Sequence, residues 1–253
     1  MDYSLRALEK LGQAFDQFYF FPGNHDLYYK DKRDIHSVEF GKYIPGVTVV
    51  HHPITLGEVT LCPWLIGDEW KTISKQQGKY IFGHFELPSF YMNAMVQMPD
   101  HGEIQLNHFA NYELGFSGHF HKRQKKGNMI YIGNCFPHNY SDNWDDERGM
   151  MILEWGKQPE YHTWPGQPTY RTAKLSELID RAEDIILPKA HLRVSLDIDI
   201  SYEEANFIKE KFMGDYPIRE LTLIPEKKEM EISSSLESDT YDNKVLLSIY
   251  NNL

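Results

Sequence analysis

The chain has 253 residues, 41% hydrophobic and 25% charged, which suits one large globular domain or one domain with a small appendage. Its formal charge of -11 excludes a broad Lys/Arg surface for gripping duplex DNA, so any nucleic-acid contact must be local, bridged by metal ions or supplied by a partner. No apolar run is long enough for a bilayer and no secretory pattern opens the chain, while Cys62 and Cys135 form neither a disulfide framework nor a Cys-x-x-Cys motif; the expectation is a cytoplasmic protein away from membranes.

In chain order, Leu5, Leu8, Leu11 and Phe15 recur at helical spacing, with Ser4 placed to cap the helix. An aromatic strand over residues 18–21 stops at Pro22-Gly23. Residues 47–50 and 59–61 predict strands around a turn containing Pro53 and Gly57. "KYIFGH" ends on Gly83-His84 and "ELGFSGHFHK" on Gly118-His119, while "MIYIG" and "GMMILEW" predict two further strands. After Trp155 a segment rich in Pro, Gly and Gln reads as a connection, and residues 174–187 are weakly helical. Leu192, Val194, Leu196, Ile198 and Ile200 then alternate with polar residues, the pattern of a half-buried strand. Ser201 and Glu204 have the spacing of a capping box, Ala205, Ile208 and Phe212 continue a helical stripe, and Gly214 is a natural stop. Leu221 and Leu223 resume a strand. The expected division is 1–165 as the main domain, 166–189 as a linker, 190–225 as a strand–helix–strand appendage, and 226–253 as a polar tether with the start of a possible partner-binding helix.

Three loops carry the chemistry: Gly23-Asn24-His25-Asp26, Gly83-His84 and Gly118-His119-Phe120-His121. Each follows an apolar run, and in a layered α/β fold such loops gather at one edge of the sheet, where ligands bind. Imidazole nitrogens and an amide oxygen suit a borderline divalent ion such as Mn²⁺, Fe²⁺ or Zn²⁺. His119 and His121, two apart, allow one loop to serve two ions, and two-ion sites promote in-line attack on phosphorus. Other candidates have plainer readings. His51 and His52 read as turn residues, His101 and His108 as surface residues, and both cysteines as small buried residues. "HKRQKK", residues 121–126, is either a solvated hairpin or a phosphate contact.

The ordered set GNHD, GH and GHFH resembles the calcineurin-like metallophosphoesterases. "GNHDLYYK", "CPWL", "GHFELPSFY", "GFSGHFHK", "YIGN" and "DERGMMILE" are similar to the phage branch of the SbcD-type nuclease subunits of double-strand-break resection complexes. The resemblance implies a four-layer α/β/β/α sandwich plus a small α+β capping domain. It also implies DNA phosphodiester hydrolysis with two divalent ions of the Mn²⁺ class, a coiled-coil ATPase partner and a homodimer. By motif, Asn24, His84 and His119 match ligands of one ion and His121 a ligand of the other. His25 matches the catalytic histidine, with Asp26 orienting its ring.

The chain departs from that pattern. The family's Asp-x-His and Gly-Asp motifs precede GNHD, and the 23 residues before Asn24 contain neither. Asp34-Ile35-His36 and Gly67-Asp68 spell them, but downstream, and chain order fixes which strand presents each ligand. The expectation is therefore a sandwich lacking its first two strands, with an incomplete site and doubtful activity of this chain alone. A non-catalytic module that binds DNA ends or the ATPase stays open, as does a phosphomonoesterase or cyclic-nucleotide phosphodiesterase.

Overall fold

The computed structural model describes residues 2–92 and 96–225. The predicted tether and terminal helix, 226–253, lie outside the described residues. Helix α1 (Asp2–Ala14) begins three residues earlier than the Ser4 cap would place it, and Leu8 is its buried anchor. Strand β1 (Phe18–Phe20) pairs in parallel with β2 (Val47–Val49). Gly12 lies against Pro45, where a Cβ would come within 2.6 Å of the carbonyl oxygen, so the helix packs closely on the turn leading into β2.

The centre is a six-stranded sheet built from β3 (Ile54–Leu56), β4 (Val59–Cys62), β5 (Tyr80–Gly83), β6 (Leu114–Ser117), β7 (Gln124–Lys126) and β8 (Met129–Tyr131). Its order is β3-β4-β5-β6-β8-β7. The four inner strands run parallel and the two edge strands antiparallel to their neighbours. Alternation along the strands sends side chains to opposite faces. Ile81, Met129 and Tyr131 pack with Cys62, Phe85 and Phe90 on one face, under 3-10 turns that supply Ile73 and Phe109. Tyr80, Leu114, Phe116 and Ile130 pack on the other, against Met151 and Leu153. Met151 belongs to β9 (Met150–Ile152), which pairs antiparallel with β10 (Glu160–His162). Each fully buried aromatic or branched side chain contributes about 1.5–3 kcal/mol through burial.

A second, three-stranded sheet is wholly parallel, in the order β11 (Thr169–Lys174), β12 (Ala190–Leu196), β13 (Glu220–Pro225). Helices α2 (Leu175–Asp180), α3 (Ala182–Ile185) and α4 (Tyr202–Asp215) connect its strands. Leu175, Leu178, Leu192, Val194 and Leu221 form its core. The Ser201 capping box forms: Ser201 N donates to Glu204 Oε2 at 2.8 Å and Glu204 N to Ser201 Oγ at 3.2 Å. The predicted alternation stops at Leu196, and Ile198 is exposed.

The expected linker over 166–189 needs correction. Residues 169–174 are an edge strand of this sheet, while the helicity expected over 174–187 forms as α2 and α3. The strand escaped notice because two of its buried positions are Thr169 and Arg171, which write no apolar alternation; Arg171 pairs with Asp146 and lies over the Trp144 ring. The architecture is thus mixed α/β with several sheets. Among the described residues no helix is long and apolar enough to cross a membrane.

Candidate active site at the strand ends

β5 and β6 are parallel neighbours, with Gly83 opposite Ser117. Their carboxyl ends therefore deliver His84 and Gly118-His119 side by side. Gly118 N donates to Gly83 O at 3.0 Å, and Ser117 Oγ accepts from Phe85 N at 2.9 Å, locking the two loops together. The GNHD loop arrives from β1: Asn24 Oδ1 lies 3.0 Å from His84 Nε2. The His84 and His119 ring centroids are 5.2 Å apart. Trp64 leans on both rings, at 5.9 Å from His84 and 5.4 Å from His119.

Two glycines make room for the His84 ring. A Cβ on Gly23 would fall 2.7 Å from His84 Cε1, and one on Gly118 would fall 3.0 Å from its Nδ1. No real Cβ reaches the first of these distances, so the ring sits in a slot whose walls are backbone. His119 has φ +86°, a left-handed conformation that disfavours side chains by about 1–3 kcal/mol. That strained turn carries its imidazole toward His84 and Glu86, with His119 Nε2 3.4 Å from Glu86 Oε1.

Burial, followed by the neighbouring His119, His25 and His121, holds the His84 pKa down at about 4. Burial also lowers His119, opposed by Glu86, and lowers His121, opposed by Asp142. His25 depresses all three, which places the exposed His25 ring in the same neighbourhood. Imidazoles kept neutral present lone pairs. Bonds of about 2.1 Å at right angles would put two donors about 3.0 Å apart, the Asn24–His84 separation. The amide oxygen and imidazoles thus fit a borderline divalent ion.

His121 lies beside His138, with ring centroids 6.0 Å apart. Beneath lies a buried ion pair, Asp142 with Arg148 at 3.0 Å; the carboxylate also accepts from His138 N at 2.8 Å and Asn134 Nδ2 at 3.3 Å. Asp26 accepts from Gly23 N at 2.8 Å and Ser37 Oγ at 3.1 Å, so it shapes the loop, and among the described residues it makes no hydrogen bond to His25.

Other residues lie elsewhere than expected or do more. Cys62 is buried but Cys135 is exposed, on the loop after β8 that faces the cleft beside His84. Residues 124–126 form edge strand β7; Lys126 Nζ donates to Ser89 O, and Arg123 stacks over Tyr161 at 4.4 Å. His101 lines a cleft with Trp64, Trp70, His84 and Glu86. His36, Glu39 and His51 converge, with one ligand atom from each within 4.8 Å of the others. His36 belongs to the Asp34-Ile35-His36 motif set aside as out of order, and the irregular spacing hid the group.

No known protein-family model matches the chain. It is 28% identical over 163 residues to exonuclease subunit 1 of Enterobacteria phage T4, covering 61% of this chain and 47% of that protein. The chain thus spans about half the length of the curated relative it resembles, and the likeness relates it to a phage nuclease subunit.

Proposed function

We propose that the chain is a metal-dependent DNA phosphodiesterase, the nuclease subunit of a phage-type recombination and repair complex. The observation that carries this reading is the meeting of Asn24, His84 and His119 from three separate strand-end loops, at 3.0 Å and 5.2 Å spacings. The similarity to a phage exonuclease subunit supports it. The central sheet with β9–β10 packed on one face is read as part of an α/β/β/α sandwich.

In this reading Asn24, His84 and His119 hold one divalent ion of the Mn²⁺ class, and His121 contributes to a second. Such ions supply Lewis-acid polarisation of phosphoryl oxygens and clamp an in-line displacement. The remaining work falls to the chain's own groups. His25, exposed at the rim, binds the phosphate and gives a proton to the leaving oxygen. Asp26 fixes the turn that carries His25. Trp64 shields one side of the imidazoles from water, and with Trp70 offers rings on which a base stacks. The net charge of -11 leaves wide electrostatic gripping of DNA to a partner, a coiled-coil ATPase, and to a second copy of the chain. The 169–225 unit serves as a cap over the DNA.

The test is linear end-labelled DNA incubated with the chain and Mn²⁺, beside His84→Ala and His119→Ala. Metal-dependent release of labelled nucleotides, slow because the ion's shell lacks the family's Asp-x-His and Gly-Asp ligands, is expected from the parent chain and is abolished by chelation and by either substitution. Equal cleavage by parent and variants would sink the assignment, and DNA binding without cutting would make the chain an end-binding module.

A further inference from the structure

We propose that His36, Glu39 and His51 form a binding site for a zinc-class divalent cation, separate from the strand-end histidines and serving to fasten the loop that follows GNHD. This does not rest on the nuclease reading.

Three segments bring the ligands together. Residues 26–37 fold into a hairpin: Tyr28 N donates to Ile35 O at 3.1 Å, Ser37 N to Asp26 O at 2.8 Å, and Leu27 bridges His36. The hairpin ends on His36, whose side chain is fully buried. A 3-10 turn, Glu39–Tyr43, begins three residues on and supplies Glu39. The backbone after β2 supplies His51.

His36 Nε2 is 2.8 Å from Glu39 Oε2 and 3.3 Å from His51 Nδ1. His51 Nε2 is 3.8 Å from the same carboxylate oxygen. Zinc bonds of about 2.0–2.1 Å at the tetrahedral angle separate donors by about 3.3 Å; His51 can give an ion only one of its two nitrogens, and one ligand atom from each residue lies within 4.8 Å of the others, so the donors draw in on a cation to complete its sphere. Glu39 Oε1 is held by Lys42, which aims Oε2 at the imidazoles.

Hydrogen bonding alone serves this cluster poorly. A proton on His36 Nε2 can point at Glu39 or at His51, not at both. With the proton on His51 instead, the His36 lone pair faces a carboxylate. One cation takes up all three lone pairs at once, with the His36 proton moved to its buried Nδ1, which has no protein partner. Two imidazoles and a carboxylate are a zinc-type donor set, and Glu39 and His51 also line an open cleft, where a solvent ligand completes the sphere. The nearby cations are already paired, Lys42 with Glu39 and Arg33 with Glu69.

The experiment titrates the chelator-treated full chain with Zn²⁺ by calorimetry, and with Co²⁺ by visible absorption. The variants are His51→Gln, Glu39→Gln and the double His84→Ala/His119→Ala. His51 and Glu39 are about one-third exposed, so their replacement spares the fold, which circular dichroism checks. Removing an outer partner of a metal ligand weakens binding about 10–100-fold, and removing a ligand weakens it at least as much. The expected result is a Zn²⁺ site and a four-coordinate Co²⁺ spectrum that survive in the double variant and are lost in both single ones. Zn²⁺ also slows tryptic cleavage at Lys30 and Lys32 in the parent chain and in the double variant, but not in the two single variants. Undiminished uptake by His51→Gln and Glu39→Gln, or no uptake by the double variant, overturns the site.

Discussion

Asp142→Ala is expected to be among the most destabilising single substitutions in the chain. Asp142 and Arg148 are 2% and 1% exposed, and their contact is 3.0 Å. Removing the carboxylate leaves a buried guanidinium with only Asp145 at 3.0 Å, itself 27% exposed. It also strands His138 N, which donates to Asp142 at 2.8 Å. Breaking a buried pair from one side costs about 3–5 kcal/mol, and the stranded amide costs about 1–3 kcal/mol. The two losses share one site and do not add fully, so about 3–5 kcal/mol is expected. Asp142→Leu/Arg148→Met removes both charges and puts apolar side chains in their place. It should cost about 2 kcal/mol less than Asp142→Ala, with the stranded amide still unpaid. Urea unfolding followed by fluorescence of the five tryptophans measures both. A loss under about 1 kcal/mol for Asp142→Ala, or a double variant as unstable as the sum of its singles, would refute the reasoning.

Further outcomes follow from named contacts. His84 titrates near 4 when folded and near 6.5 when unfolded; the unfolded chain takes up the proton first, so in the metal-free protein stability is full above about pH 6.5 and falls toward pH 4 by up to about 3 kcal/mol. Urea midpoints at neutral and acid pH check this, and His84→Gln should flatten the difference. Cys62, its thiol pushed up to about 12 by burial, should resist alkylation in the folded chain while exposed Cys135 reacts; mass spectrometry of the labelled peptides decides, and labelling of Cys62 at the rate of Cys135 would contradict the buried position. Gly23→Ala should displace the His84 ring, because the new methyl needs space the ring fills. An unchanged His84 imidazole NMR signal would argue against the slot. Tyr131→Phe removes a hydroxyl that donates to Phe85 O at 2.9 Å and accepts from Leu87 N at 3.1 Å, an expected loss of about 1–3 kcal/mol by thermal or urea unfolding.

The strand tips at the candidate site were legible because they depend on local signals. An apolar run ending in glycine and histidine predicts a strand tip, and β5 and β6 end as "KYIFGH" and "GFSGHFH" suggest. β12 was visible because a central strand buried on alternate positions writes a period of two into its hydropathy. Its neighbour β11 was not, since an edge strand that buries Thr169 and Arg171 has no apolar alternation. The convergence of His36, Glu39 and His51 depends on a hairpin and on the β1–β2 pairing, neither of which spacing along the chain reveals. Asp26 shows the same limit: its neighbour in sequence is His25, but its partners are Gly23 and Ser37.

β11 is stitched to the segment before it by more than the chain itself. Arg171 grips Asp146, Trp144 Nε1 reaches Thr172 O at 3.1 Å, and Tyr170 Oη reaches His138 O at 2.6 Å. A backbone cut anywhere between Trp155 and Gln167 would therefore leave two pieces that still travel together through a sizing column. The carboxyl-terminal sheet is less a pendant on a string than a part riveted beside His138, and any swing it makes must drag that loop along.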